Sequence, residues 1–354
     1  MPNSRPRPTI IDVATAAGVS RTTASDALNG RGRVGEETRA RVVEAAAKLG
    51  YRVDVNARSL RRGSSSVLAL FLPTMEEAGE SQTLGLEYYM RLANAAAIAA
   101  FAHRHALLLM PPLDGSEDHG HVSFDGAILS DPEREDRQLD LLDRQRVPTV
   151  TIERDPGRPE REWYVTSDTP GNTAKALDHF AERGARRIAL LRPHAHWAYA
   201  EEGNQVYEEW TGARGVEAIV ATVPGEGKEG KNGDAFEVGL ELLSRVPRPD
   251  AVLAFGERYG NGVVRAAASL GIRTPEQLLV VCLIDGPPNT DLEPPITAID
   301  LHPERQAELA VKMLLARLAG EKTEKTQIVG GDLIVRRSTA GLVADEELQP
   351  GGAG

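Results

Sequence analysis

The sequence predicts a small all-α domain followed by a larger α/β body of two doubly wound parallel-sheet subdomains. Three stretches with helical spacing lie close together within residues 10–49. From Val67 onwards, continuous apolar runs alternate with helical patterns, which is typical of parallel sheets covered by helices on both faces. The alternation occurs in two sets, so we expect two subdomains.

The first two helical stretches are short and joined by a glycine. Thr9 followed by Asp12 is typical of a capping box, and a helix over residues 10–17 follows it. Gly18 supplies a left-handed position that ends this helix, and Ser20 can cap a second one. The spacing therefore predicts a helix-turn-helix.

The second helix has two unlike faces. Ala24, Ala27 and Leu28 share the inner face, where small residues allow close packing. The outer face is polar: Arg21, Thr22, Ser25, Asp26 and Asn29. These are the properties of a recognition helix that enters the major groove of DNA, although a helical hairpin in a globular core would have the same pattern.

The segment after this pair carries a longer signature. A third helix over residues 36–49 ends at Gly50, and the blocks DVATAAGVS, ALNG, EETRARVVEAAAKLGY and NARSLRRG follow one another. Over residues 9–62 this order resembles the headpiece of the LacI/GalR family of bacterial transcription regulators. The resemblance implies a headpiece over residues 1–52, with DNA contacts from Thr9, Ser20, Arg21, Thr22, Thr23, Ser25, Asp26, Asn29, Arg33, Tyr51, Asn56, Ala57 and Leu60.

Residues 53–66 are expected to form a hinge helix and linker. Asp54 can cap a helix over residues 55–62, which is too short to be stable alone. The resemblance implies that it folds against its twin from a second subunit over DNA. Leu60 stands where the family wedges a leucine into the minor groove, and its alternative role is packing against the twin helix.

Charge and cysteine content fit this organisation. Residues 1–63 contain 12 Lys and Arg against 6 Asp and Glu, whereas the whole chain has a formal net charge of −11. A basic N-terminal part attracts phosphate while an acidic body does not. Cys282 is the single cysteine, so an internal disulfide is excluded. No apolar stretch is long enough for a bilayer, and we expect a soluble cytoplasmic protein without membrane contact.

The body, residues 67–345, is predicted from two sets of buried strands. The first contains VLALFLP, ALLLMPP, DGAILSD and VPTVTIE, with helices at about 86–103 and 135–146. The second contains RRIALLRP, VEAIVATVP, DAVLAFG and LLVVCLID, with helices near 171–183, 204–213, 234–244 and 259–270.

The family's effector body resembles a type I periplasmic binding protein, which implies three cross-overs between the subdomains. We expect them at about 164–168, 297–301 and 320–327. The first subdomain would then hold about 67–165 and 300–320, with a returning helix over 303–319. The second would hold about 166–299 and 325–340, including the strand in GGDLIVRRS.

The strand ends of both subdomains are expected to face a common cleft, where ligands of open α/β sheets bind. Gly203, the Gly256-Glu257 pair and Ile284 stand where sugar-responding members carry hydroxyl-binding groups. Aromatic residues beside carboxylates suit an apolar or cationic ligand instead, unless several are ordinary surface charges. The candidate effector-binding residues are Tyr88, Ser130, Asp131, Trp197, Tyr199, Glu202, Tyr207, Glu257 and Asp285.

The sequence offers no catalytic set, phosphate loop or cofactor motif, so we expect no enzyme, cofactor or metal. Three His-x-His pairs begin at His103, His119 and His194, but a zinc site needs further placed ligands. We expect a homodimeric repressor that binds a pseudopalindromic operator under the control of a small-molecule effector. The alternatives are a solute-binding module, and a DNA-binding regulator with a degenerate cleft that answers to a protein partner or to no ligand.

Overall fold

The computed structural model describes residues 8–29, 32, 34–51, 65–73, 86–110, 122–194, 197–224 and 235–340. The chain divides into two compact units, Met1–Ser65 and Ser66–Gly354. The predicted contacts Arg33, Asn56, Ala57 and Leu60 lie outside the described residues, as does the whole predicted hinge helix.

The first unit is a three-helix domain of α1 (Ile10–Ala17), α2 (Arg21–Asn29) and α3 (Glu36–Leu49). The bounds predicted for α1 and α3 are confirmed. Their small buried residues, such as Val13, Ala24 and Val42, form one core in which the three helices pack closely.

The second unit contains two sheets, as the sequence predicts, and each has six strands among the described residues. The first sheet has the order β11-β5-β4-β3-β1-β2, and all its neighbouring strands are parallel. Its strands are β1 (Val67–Phe71), β2 (Ala106–Met110), β3 (Gly126–Ser130), β4 (Thr149–Ile152), β5 (Tyr164–Ser167) and β11 (Thr326–Val329). Its helices are α4 (Leu86–Ala102), α5 (Arg137–Arg144) and α11 (Pro303–Ala319).

The second sheet has the order β12-β10-β9-β8-β6-β7, with β12 antiparallel. Its strands are β6 (Ile188–Pro193), β7 (Ile219–Val223), β8 (Ala251–Ala254), β9 (Leu279–Cys282), β10 (Thr297–Asp300) and β12 (Asp332–Ile334). Its helices are α6 (Thr169–Glu182), α7 (Ala198–Arg214), α8 (Ala235–Leu243), α9 (Glu257–Ser269), α10 (Pro287–Thr290) and the 3₁₀ turn Arg337–Thr339. Apolar cores cover both sheets, so the predicted doubly wound fold is confirmed.

The third cross-over lies later than the sequence suggested. Residues 326–329 pair with β5 in the first sheet, so the chain crosses at Gly330 and Gly331 rather than within residues 320–327. A Cβ at Gly331 would lie 2.5 Å from Ile299 Cγ2, which explains why glycine stands at this crossing. The half-exposed run TQIV gives too weak an apolar signal to be recognised as a strand.

Helix α7 begins earlier than predicted, at Ala198 instead of about residue 204. Trp197 occupies its N-cap without a side-chain cap bond, so the usual sequence signal for a helix start is missing. Tyr199 and Glu202 therefore lie on the first turns of a helix, where their directions are fixed by the backbone.

Candidate nucleic-acid interface and inter-subdomain cleft

Helix α1 begins with the capping box that the sequence predicts. The Thr9 hydroxyl and backbone N–H donate to Asp12 Oδ2 at 2.8 and 2.7 Å. These bonds hold the pKa of the Asp12 carboxyl below its usual range. The predicted DNA contact Thr9 is exposed, and its hydroxyl already serves the helix cap.

The turn between α1 and α2 has the predicted glycine geometry. Gly18 has φ +65°, and the Val19 N–H donates to Ala14 O at 3.0 Å. Ser20 then caps α2, because its Oγ accepts from the Thr23 N–H at 3.0 Å and lies 2.8 Å from Thr23 Oγ1. Ser20 and Thr23 therefore pair with each other at the start of the helix.

The faces of α2 divide as the sequence predicts. Ala24 and Ala27 are buried in the three-helix core, whereas Arg21 and Thr22 are exposed. Ser25 and Asp26 are partly exposed, and Tyr51 packs at the edge of the core. Asn29 ends the helix, and its side chain lies outside the described residues.

Arg39 on α3 holds the C-terminal end of α2 and was missed by the sequence analysis. Its Nη1 donates to Ala27 O at 2.9 Å, which satisfies a carbonyl that has no partner within the helix. The bond joins residues 12 positions apart, and the sequence carries no signal for it. The outward face of α2 is thereby fixed against α3.

In the second unit, the carboxyl end of β3 carries a buried acidic residue with hydroxyl partners. Asp131 Oδ2 accepts from Ser130 Oγ at 2.7 Å and from Tyr89 Oη at 2.9 Å. The predicted residue Tyr88 lies beside Tyr89 in an edge-to-face contact, and its hydroxyl donates to Gln306 at 2.8 Å. The predicted residues Tyr88, Ser130 and Asp131 thus belong to one network.

Glu153, directly after β4, is a second buried carboxyl that the sequence analysis missed. Its Oε1 accepts from Ser167 Oγ at 2.6 Å and from the Ser167 N–H at 3.0 Å, and its Oε2 accepts from Thr166 Oγ1 at 2.6 Å. Gln306 of α11 donates to Ser167 Oγ at 3.2 Å, so Glu153 connects to this helix through Ser167. Asp131 and Glu153 both have positive φ, at 51° and 68°.

Burial controls the protonation of this pair. It raises the pKa of Asp131 to about 6, against the bonds from Ser130 and Tyr89 that lower it. Burial and the Asp131 charge together raise the pKa of Glu153 to about 7. Among the described residues, the hydrogen-bond partners of both carboxyls are hydroxyls and a backbone amide rather than Arg or Lys.

The second subdomain faces this pair with aromatic side chains. The rings of Trp197 and Tyr199 are stacked at 5.6 Å between centroids with 18° between planes, and Phe255 lies 6.2 Å beyond Tyr199. Tyr199 is close enough to raise the pKa of Tyr89 together with burial and Asp131. A Cβ at Gly203 would lie 2.4 Å from Phe255 Cζ, so the phenyl ring occupies the space that a side chain at 203 would need.

Three contacts join the two subdomains at the rim of this cleft. Glu133 forms an isolated antiparallel bridge with Trp197. Arg134 Nη2 lies 2.9 and 3.0 Å from the two carboxylate oxygens of Glu201. Arg154 forms an ion pair with Glu202, the predicted cleft residue.

Two predicted effector residues bond to groups of the second subdomain itself. Tyr207 is fully buried in the core of the second subdomain, where its hydroxyl donates to Ile188 O at 2.7 Å. Asp285 forms a bidentate pair with Arg336 at 2.8 and 2.7 Å. Both were placed at the cleft because they follow strands or match a family position, and neither signal reports which way a side chain points. The Glu257 side chain lies outside the described residues.

No helix of the described residues is long and apolar enough to cross a membrane. Within the same part of the chain, no group of three or more His, Cys, Asp or Glu residues is placed to share a metal ion.

Comparison with known proteins matches both units. Residues 9–54 match the family model of bacterial regulatory proteins of the lacI family, and residues 177–339 match a periplasmic binding protein-like domain. The HTH-type transcriptional regulator CelR of Thermobifida fusca is 30% identical over 348 residues, covering 94% of this chain and 99% of that protein. The HTH-type transcriptional repressor PurR of Erwinia tasmaniensis is 28% identical, covering 94% and 97%.

Solved structures show the same fold. A CelR–cellobiose complex is 27% identical with a TM-score of 0.68, and covers 94% of this chain and 100% of its own. The lac repressor dimer bound to operator and the anti-inducer ONPF is 19% identical with a TM-score of 0.79, covering 95% and 99%.

Proposed function

Because this chain belongs to the LacI family of bacterial regulatory proteins, we propose that it represses transcription as a homodimer on a pseudopalindromic operator. The headpiece contacts would come from the outward face of α2 and from the hinge residues Asn56, Ala57 and Leu60. The observation that carries the proposal is the α2 surface, where Arg21 and Thr22 are exposed above an alanine-lined inner face. A side chain on that face can reach base edges in the major groove.

A second copy of the chain fits an exposed apolar face of the first subdomain. Met90, Ile98 and Phe101 lie within one sector of α4 and are 46%, 63% and 81% exposed. Leu109 of the edge strand β2 is also half-exposed. Apolar area of this kind is typical of homodimer interfaces, and the related lac repressor structure is described as a dimer.

The cleft is the proposed effector site. The inward network of Tyr88, Ser130 and Asp131 faces the Trp197–Tyr199 stack across it, and the relative CelR has been solved with cellobiose. An effector that binds one closure state better than another would change the spacing of the two hinge segments and hence the operator affinity.

The second candidate, a regulator whose cleft answers to no ligand, is favoured by the rim contacts. The Arg134–Glu201 and Arg154–Glu202 pairs join the subdomains through side chains of the chain itself. In such a protein the operator affinity would be constant in the presence of metabolites.

Two experiments separate these functions. Operators selected by the full chain from a random DNA pool should be two-fold symmetric, and an unsymmetric or absent consensus would contradict the dimeric repressor. A thermal-shift screen of the full chain against metabolites should find a ligand, because binding to the folded state raises stability by mass action. If the selected operator is bound equally tightly with every metabolite, the second candidate holds.

A further inference from the structure

The cleft between the subdomains combines a buried pair of carboxyls with aromatic surface. Asp131 and Glu153 follow adjacent strands of the first sheet and influence each other's charge. Three arginines of the second unit form ion pairs with other carboxylates: Arg134 with Glu201, Arg154 with Glu202 and Arg336 with Asp285. Buried carboxyls normally have a cationic partner, whereas the hydrogen-bond partners of this pair are hydroxyls and a backbone amide. Arg154 interacts with the charge of Glu153 but forms its ion pair with Glu202.

The aromatic side chains of the second subdomain suit contact with the apolar part of a ligand rather than with hydroxyl groups. Trp197 and Tyr199 present stacked rings, and Phe255 closes the position at Gly203 to any side chain. Trp197 Nε1 is buried and has no hydrogen-bond partner among the described residues, so a donor is available for one acceptor atom. Aromatic faces of this kind attract organic cations through the ring quadrupole.

We propose that the effector of this cleft is an organic cation, with its ammonium group against Asp131 and Glu153 and its apolar part on Trp197 and Tyr199. The proposal rests on the proposed function, because it names the ligand class of the same cleft. A neutral sugar would leave the carboxyl pair without a counter-charge. An anionic ligand would be repelled by it.

Matched pairs of probes test the charge directly. Choline and its neutral isostere 3,3-dimethylbutan-1-ol form one pair, and 2-phenylethylamine and 2-phenylethanol form another. Titration calorimetry with the full chain should give at least one amine that binds tenfold or more tightly than its isostere. Equal affinities within both pairs, or no amine binding at all, would overturn the proposal.

Two variants connect the affinity to the carboxyl pair. Asp131→Asn and Glu153→Gln keep the size and accepting oxygen of each side chain while removing its charge. Each should weaken amine binding at least fivefold and change binding of the neutral isostere less than twofold. The exposed residues Asp291 and Glu160 provide the matched controls Asp291→Asn and Glu160→Gln, which should bind the amine as the wild type does. Amine affinity that survives both cleft substitutions would contradict the assignment.

A parallel titration with cellobiose, glucose and ribose distinguishes this proposal from the proposed function. Binding of a saccharide without any amine would exclude the cationic class and leave an effector-controlled repressor. Failure of the saccharides, the amines and the metabolite screen together would exclude effector control as well. Operator selection needs no ligand, so it would still test whether the chain binds a two-fold symmetric operator.

Discussion

Asp131 and Glu153 hold unfavourable positions in two respects, since both are buried carboxyls and both have left-handed backbone geometry. A non-glycine residue in this geometry costs about 1–3 kcal/mol, and such residues concentrate at functional sites. The burial adds a penalty for the charged form. The hydrogen bonds that the two carboxyls accept offset part of these costs. The combination of burial and left-handed geometry is consistent with a binding role.

The same pair predicts an unusual pH dependence of stability. The pKa values of about 6 and 7 lie above the ordinary values of 3.8 and 4.5, so the folded chain binds more protons than the unfolded chain between about pH 4 and 7. The free energy of unfolding should therefore fall as pH rises through this window, by about 2–3 kcal/mol for each carboxyl. Urea unfolding followed by tryptophan fluorescence measures it, because Trp163, Trp197 and Trp210 all lie in the second unit.

Asp131→Asn should flatten this profile, since the variant cannot take up the proton. The exposed control Asp291→Asn should keep the wild-type slope. A wild-type stability that rises between pH 5 and 7 would show that the pair is not protonated in the folded chain.

Asp26 is the residue of α2 whose role in sequence recognition is most open. The LacI family usually has arginine at this position, and an aspartate can only accept, for example from cytosine N4. A Cβ at Gly32 would lie 3.1 Å from Asp26 Oδ2, so the carboxylate lies beside Gly32. From this position the carboxylate can either accept a hydrogen bond from a base or orient a neighbouring side chain.

Operators selected from a random DNA pool by the full chain with Asp26→Ala distinguish these roles. We expect the variant to lose preference at one symmetric operator position. If the carboxylate only repels phosphate, the variant should bind every DNA sequence more tightly than the wild type does, by the same factor. The selected consensus should then not change. Glu44→Ala, which removes an exposed carboxylate from α3, serves as the charge control.

At the scale of elements, the sequence predicts the helix bounds that depend on local signals such as caps. Helices α1 and α3 have side-chain or glycine caps next to their ends, and their bounds were correct. Helix α7 ends at Gly215 but has no side-chain cap bond at its start, so its first turns were missed. The contacts of Glu153 with Ser167 and of Gln306 with Tyr88 span 14 and 218 positions, and no local pattern reports them.

The packing of α2 on α3 depends on a bond that only the structure reveals. Arg39→Ala removes the donor to Ala27 O and should destabilise the end of α2 by about 1 kcal/mol. Hydrogen exchange of the full chain should then be about fivefold faster at the amides of Arg21–Asn29. Arg41→Ala, at an exposed position of the same helix, should leave the exchange unchanged. Equal exchange in both variants would exclude a role for Arg39 in holding the recognition helix.

At the scale of the whole molecule, the two subdomains are joined by three cross-overs and by the contacts at the cleft rim. The third cross-over is held by the second subdomain, since the Gly331 N–H donates to Asn172 Oδ1 at 3.0 Å and Lys175 donates to Gly331 O. The Arg134–Glu201 pair is exposed and the Arg154–Glu202 pair is partly buried, and both can break without unfolding either sheet. Closure of the cleft is therefore a matter of a few surface contacts that a ligand or salt can change.

Removing both rim pairs tests this view of closure. Exposed ion pairs are each worth about 0–1 kcal/mol, so the double variant Glu201→Gln/Glu202→Gln should shift the equilibrium towards the open state by about fivefold. In this double variant, pulsed electron resonance between spin labels at residues 160 and 205 should show a broader distribution of label distances with a longer mean.

High salt should produce the same change in the wild type, because it screens the pairs, and little further change in the variant. Glu217→Gln, which breaks a pair with Arg187 inside the second subdomain, should leave the distances as they are. Unchanged distances in the double variant would mean that the Glu133–Trp197 bridge and the aromatic stack hold the cleft closed without the ion pairs.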